Sequence, residues 1–213
     1  MLLFEALKET EKVPVISTML GVESIRFLLL KLAETIQVRV PGAVVELGCN
    51  VGTATVKLAT FIQSLDPAFR ELLDHHVYDT FEGIPYFDKE DVPPEGEKPI
   101  GIGTCKSAEE TLRENLKKYD LQWVHIHRGL IAGAEFPPAI RFAFLDMDVY
   151  RSIKEGLGIV YPRLSPGGVI CVHDYGYARA PGVRKAVDPF LNDKDLMPFK
   201  LKNMIVLTKP RRE

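Results

Sequence analysis

The chain has 213 residues, 46% of them hydrophobic and 26% charged, and a net charge of −2. That length suits one domain with a sizeable core, and the balance is that of a globular chain rather than a disordered or fibrous one. The charge supplies no basic footprint for nucleic acid, and the longest early apolar run, Phe27 to Leu30, is broken by Lys31, which excludes a membrane span there.

Cys49, Cys105 and Cys171 are scattered and have no CxxC spacing. They point to a reducing compartment and away from a disulfide framework or a zinc site. The start, Met1-Leu2-Leu3-Phe4-Glu5, lacks a basic n-region, so a cytoplasmic protein is expected.

In chain order, residues 1–20 predict a short helix and an irregular segment. Gly21 to Val38 predicts a stronger helix with Ile25, Leu28, Leu29, Leu32 and Ile36 on one face. Pro41-Gly42 stops it. Ala43 to Leu47 is a short β-branched run, read as a buried parallel strand. Gly48 and Gly52 then bracket a tight turn, and Thr53 is placed to cap a helix carrying Val56, Leu58, Ala59 and Ile62. Strand, turn and helix N-terminus together suit one end of a nucleoside ligand; the plainer alternative is an ordinary crossover. Glu46, at the strand's carboxyl end, would repel a pyrophosphate but attract an amine or hydroxyls. The dinucleotide fingerprint needs glycines at 48, 50 and 53, and Asn50 and Thr53 fail it. A nicotinamide-dependent oxidoreductase is thereby disfavoured.

Asp66-Pro67 marks a turn, and residues 75–80 predict a second strand. Asp79, at its tip, is placed to hold the two hydroxyls of a ribose, or else to cap the next turn. Residues 83–104, rich in proline and glycine, form a long loop of the kind that serves as a lid, or else a surface insertion. Phe81, Tyr86 and Phe87 at its start favour closure on a ligand. Ser107 and Glu110 read as a capping box for a helix through Tyr119.

Val124 to His127 predicts a third strand, with His125 and His127 as structural or surface residues. Gly129 to Ala134 is an apolar loop that could cover an adenine or simply be a buried connection. Phe142 to Leu145 predicts the fourth strand, ending in Asp146-Met147-Asp148. Arg151 to Leu164 predicts a helix closed by Pro166-Gly167-Gly168, and Val169 to Val172 a fifth strand ending in His173-Asp174-Tyr175. Pro181 leads into a helix through Leu191, and Phe199 to Leu201 with Met204 to Thr208 predicts a terminal hairpin. The expected fold is α/β: a doubly wound, mostly parallel seven-stranded sheet with a C-terminal antiparallel hairpin. Residues 1–40 form an N-terminal helical segment of the same domain as 41–213.

In such a sheet ligands bind outside the carboxyl ends of the strands. Glu46, Asp79, Asp146, Asp148, His173 and Asp174 all fall there. Any one acid could be a cap or a solvated charge, but four strands sharing the pattern argue for a site. Asp146, Asp174 and His173 could bind a hard cation such as Mg²⁺. Asp148 is the candidate general base, or else a helix N-cap.

These residues resemble the macrocin O-methyltransferase (TylF-like) family of class I methyltransferases. The resemblance is carried by Val40 to Gly48, Asp79-Thr-Phe-Glu-Gly-Ile-Pro85, Leu145-Asp-Met-Asp-Val-Tyr-Arg-Ser152, Tyr161 to Gly168 and Asp174-Tyr-Gly176. It implies S-adenosylmethionine-dependent methylation of a small-molecule hydroxyl, usually on a sugar of a glycosylated natural product, and a homo-oligomer is common. It also implies Asp146 and Asp174 as Mg²⁺ ligands and Asp148 as base. Glu46, Gly48, Asn50, Gly52, Thr53 and Asp79 would line the cofactor, with Ser107 at the adenine. Two departures stand out. Residue 173 is His where the family usually has Asp, so the third ligand is changed, and Cys49-Asn50-Val51 differs from the usual first motif. His-Asp-Tyr followed by Pro181 to Val187 also resembles class I methyltransferases with no established metal, in which case His173 itself would be the base. A non-catalytic cofactor-binding subunit is the alternative of another class, and the retained Asp146, Asp148 and Asp174 argue against it.

Overall fold

Two largely apolar runs are buried at every position and form the centre of one sheet: β1 (Ala43–Leu47) and β4 (Ile140–Leu145). The computed structural model describes residues 3–65 and 74–211. The other strands are β2 (His75–Asp79), β3 (His125–Arg128), β5 (Leu164–Val172), β6 (Phe199–Leu201) and β7 (Met204–Thr208). Their order is β3-β2-β1-β4-β5-β7-β6. The first five are parallel; β7 runs antiparallel to both β5 and β6. The strand order reverses between β1 and β4, which opens a crevice at the carboxyl ends of those strands.

Among the described residues, six α-helices cover the sheet: α1 (Leu3–Glu11), α2 (Val22–Gln37), α3 (Thr53–Gln63), α4 (Glu109–Lys118), α5 (Tyr150–Arg163) and α6 (Pro181–Lys194). On one face, α2 turns Leu28, Leu29, Leu32 and Ile36 onto Val44, Phe142, Phe144 and Cys171. Each such side chain stabilises the fold by about 1.5–3 kcal/mol. The apolar stripe of this helix is therefore used on its own sheet. Val22, Leu30 and Val38 lie outside the stripe and are exposed. On the other face, Ile153, Leu157 and Val160 of α5 and Val183 and Val187 of α6 pack on Val45, Leu145 and Ile170. Lys57 of α3 is buried and donates its Nζ to the carbonyls of Thr10 and Val13. It thus satisfies carbonyls where the N-terminal segment leaves α1.

Several local expectations are corrected. Thr53 is the first residue of α3 rather than its cap. Gly52 takes the N-cap position in a left-handed conformation, and the Thr53 Oγ1 is left buried without a protein partner. Ser107 and Glu110 form no capping box: α4 begins at Glu109 with Ala108 as N-cap and no side-chain bond. Asp148 does not cap α5, whose N-cap is Val149. Pro166-Gly167-Gly168 does not separate helix from strand, because β5 starts at Leu164, directly after α5. The register with β4 shifts between Ile140 and Phe142, and Gly167 and Gly168 exchange backbone bonds with Lys209 beyond β7. A local stop signal is thus held in the sheet by a distant neighbour. The turn at Asp66-Pro67 lies outside the described residues.

Candidate functional site

The chain leaves β1 through Gly48, whose backbone sits at φ +86°. A Cβ there would lie 2.0 Å from the Asp146 carbonyl oxygen, so only glycine lets the ends of β1 and β4 approach this closely. Asn50, also left-handed, anchors the turn. Its N–H donates to Asp79 Oδ2 at 2.7 Å, and its Nδ2 donates to the Cys105 carbonyl at 2.7 Å. Asp79 Oδ1 accepts from the Phe81 N–H at 2.8 Å. Asp79 therefore ties two loops together, and each oxygen retains a lone pair for a ligand.

Glu46 is 1% exposed yet touches the cavity. Its Oε2 accepts from Thr55 Oγ1 at 2.8 Å and lies 3.5 Å from His75 Nε2. Burial pushes its carboxyl up, against the pull of His75 and Thr55. Sequence reasoning missed this support: Thr55 is the third residue of α3, and the wholly buried His75 lies diagonally across the β1–β2 ladder.

Four more groups gather at the ends of β4 and β5. His173 Nδ1 stands 3.0 Å from Asp146 Oδ1 and 3.3 Å from Asp174 Oδ2. Burial alone would lower the imidazole, but the two carboxylates outweigh it and raise it to about 11. Before any cation binds, His173 is then the counter-ion of Asp146 and Asp174, and a bound cation would take over that role as the ring gives up its proton. Burial, then the negative Asp146 and Asp174, push Asp148 well above the usual carboxylate range. Asp148 and Asp174 both adopt left-handed backbone, at φ 59° and 57°, conformations that concentrate at functional sites. Ligand atoms of Asp146, His173 and Asp174 lie within 4.8 Å of one another. This spacing and the two carboxylates fit a divalent cation, and the imidazole shifts the set from pure magnesium chemistry towards transition metals.

Both halves line one cavity of about 580 Å³. Glu46, Gly48, Asn50, Thr53, Asp79, Asp146, Asp148, His173 and Asp174 all reach it, whereas Gly52 and Ser107 do not. Gly52 instead faces Leu112, and the buried Ser107 Oγ has no partner. From the apolar loop, Gly129, Leu130 and Ile131 join the wall. Ser17, Met19, Glu155, Tyr177, Arg179 and Lys202 also contribute, and no periodicity or motif marks them. His125 and His127 lie away from the cavity. His127 Nε2 meets His76 Nδ1 at 3.0 Å, and its ring stacks on Tyr78. Burial and the neighbouring imidazoles lower His76 to about 4, so it is neutral at physiological pH.

The loop at 83–104 is strapped to the ends of two helices. Asp91, in a short 3₁₀ turn at Lys89–Asp91, is 3% exposed. Its Oδ1 accepts from the N–H of Tyr150, the first residue of α5, at 2.7 Å. The same oxygen rests on Gly182 at the start of α6, where an added Cβ would lie only 1.8 Å away. A carboxylate is favourable at both positive helix ends. Arg151 grips Asp88 with two nitrogens, and Lys185 donates to the Glu90 carbonyl. Asp91→Ala should cost about 1–3 kcal/mol, because the N–H groups of Tyr150 and Asp88 lose their acceptor. Urea unfolding would measure the loss, and limited proteolysis should show new cleavage within 83–104. Unchanged stability would mean that Asp91 does not hold the loop.

Comparison with known proteins follows the same lines. The family model described as Macrocin-O-methyltransferase (TylF) matches residues 6–204. Demethyldecarbamoylnovobiocin O-methyltransferase of Streptomyces niveus is 27% identical over 183 residues, covering 81% of this chain and 67% of that protein. Mycinamicin III 3''-O-methyltransferase of Micromonospora griseorubida is 28% identical over 199 residues, covering 87% and 75%. Among solved structures, the O-methyltransferase NovP superposes with a TM-score of 0.76 at 23% identity, covering 97% of this chain and 88% of that one. Among the described residues, no helix is long and apolar enough to cross a membrane.

Proposed function

The chain belongs to the macrocin O-methyltransferase family of S-adenosylmethionine-dependent methyltransferases, and on that premise we propose that it methylates a sugar hydroxyl of a small molecule or glycosylated natural product. One observation carries the reading: a single cavity joins the β1–α3 turn and Asp79 to the acid cluster at Asp146, Asp148 and Asp174. Two of its relatives are named as O-methyltransferases of demethyldecarbamoylnovobiocin and of mycinamicin III.

Bound S-adenosylmethionine supplies an electrophilic methyl group. This chain offers it Glu46 for an amine, the start of α3 with the orphaned Thr53 Oγ1 for a carboxylate, and Asp79 for ribose hydroxyls. Gly129 to Ile131 would cover the adenine. Asp148 would take the acceptor's proton as the new carbon–oxygen bond forms and the carbon–sulfur bond breaks. Once ionised, a carboxylate raised by burial is the stronger base for an alcohol. Asp146, His173 and Asp174 would hold a divalent cation, which lowers the pKa of a coordinated hydroxyl when bound. The strapped loop 83–104 would act as the lid that excludes water, leaving positioning as the main contribution of the protein.

Calorimetric titration with S-adenosylhomocysteine, repeated with Mg²⁺ and after chelation, tests the reading. Micromolar binding is expected, with a separate Mg²⁺ isotherm that disappears in Asp146→Asn. Folded protein that binds no S-adenosylhomocysteine under any condition would overturn it.

A further inference from the structure

The charges of the cavity are unevenly matched. Its acids lie at the strand ends except for Glu155 of α5, and its lining holds two permanent cations among the described residues, Lys202 and Arg179. Lys202 is answered by Glu23 of α2. Arg179 is half-buried and donates its Nε to the Lys98 carbonyl at 2.8 Å, and among the described residues no carboxylate pairs with it. The bond to Lys98 fixes the guanidinium against the 83–104 loop and leaves its terminal nitrogens for another acceptor. A planar fork of this kind matches a phosphate or carboxylate at two points.

Its place in the chain says which ligand that group belongs to. Arg179 stands five residues after Asp174, beyond a turn closed by Tyr177 N–H to the Asp174 carbonyl and Ala180 N–H to the Tyr177 carbonyl. It is carried by the segment that follows β5 and lines the same cavity as Asp148 and Asp174. We propose that Arg179 recognises an anionic group, a phosphate or a carboxylate, carried on the sugar whose hydroxyl faces Asp148. The assignment rests on the methyltransferase reading above and specifies its acceptor. A base at the hydroxyl and a guanidinium at the anionic group would orient such a sugar in one direction.

The test is calorimetry on protein saturated with S-adenosylhomocysteine, using glucose 1-phosphate, glucuronate and the neutral methyl glucoside as probes. At least one anionic sugar should bind about tenfold or more tightly than methyl glucoside, and the one that does identifies phosphate or carboxylate. Arg179→Gln should erase that preference and Arg179→Lys should retain part of it, both with S-adenosylhomocysteine affinity unchanged. Equal binding of all three sugars, or binding of none, would overturn the proposal. So would weaker S-adenosylhomocysteine binding in Arg179→Gln, which would assign the guanidinium to the cofactor. Failure of the wild-type protein to bind S-adenosylhomocysteine is a separate result and counts against the methyltransferase reading itself.

Discussion

Asp148→Asn should lower methyl transfer by roughly 10²–10⁴-fold while S-adenosylhomocysteine binds as before. Asparagine has nearly the same shape and tolerates the left-handed backbone at φ 59°, so the turn between β4 and α5 survives the change. What is lost is the proton acceptor. The same substitution replaces a buried carboxyl whose ionisation Asp146 and Asp174 already oppose, so stability should hold or rise slightly. Single-turnover transfer to an accepted sugar, beside calorimetry with S-adenosylhomocysteine, separates the two effects. A rate within threefold of wild type would remove Asp148 from the chemistry and return the question to the carboxylates around His173.

Gly48→Ala should be the most damaging single methyl group in the site. The new Cβ would lie 2.0 Å from the Asp146 carbonyl oxygen and 2.9 Å from its carbon. Both obstacles are backbone, and the Asp146 N–H is itself bonded to the Leu47 carbonyl at 2.8 Å. Relief therefore requires opening the end of the β1–β4 ladder, on which Glu46 and Asp146 both depend. A cost of about 3–5 kcal/mol is expected, out of a total of about 5–15 kcal/mol for a domain of this kind. Gly96→Ala is the control: its φ is +89°, but nothing lies within 4 Å of the added Cβ. It should cost only the left-handed penalty, about 1–2 kcal/mol. Urea unfolding of both variants decides the matter. Equal losses would mean that backbone conformation, not the approach of Asp146, requires glycine at 48.

Much of the fold was legible because its signals are local. Buried parallel strands are short apolar runs whichever strand they pair with, and the stripe of α2 repeats within its own sixteen residues. The misread boundaries were those where a local rule met a distant partner. Thr53 and Ser107 look like caps, but Gly52 had already taken the cap position of α3 in a left-handed conformation, and α4 opens at Ala108. Pro166-Gly167-Gly168 looks like a break, but Lys209 pairs with the glycines and holds them in β5.

The sequence by itself determined which acids and which histidine stand at the carboxyl ends of the strands, since that follows from element order and the right-handed crossovers of parallel sheets. Tertiary structure alone decided whom each of them meets. Asp79 reaches Asn50 across 29 residues, His173 reaches Asp146 across 27, and Asp91 reaches Tyr150 across 59. Those partnerships depend on β1 lying between β2 and β4, and on a loop folding back onto two helix ends. A hydrogen bond has a range of about 3 Å, and no periodicity in the chain records which distant segments will come that close.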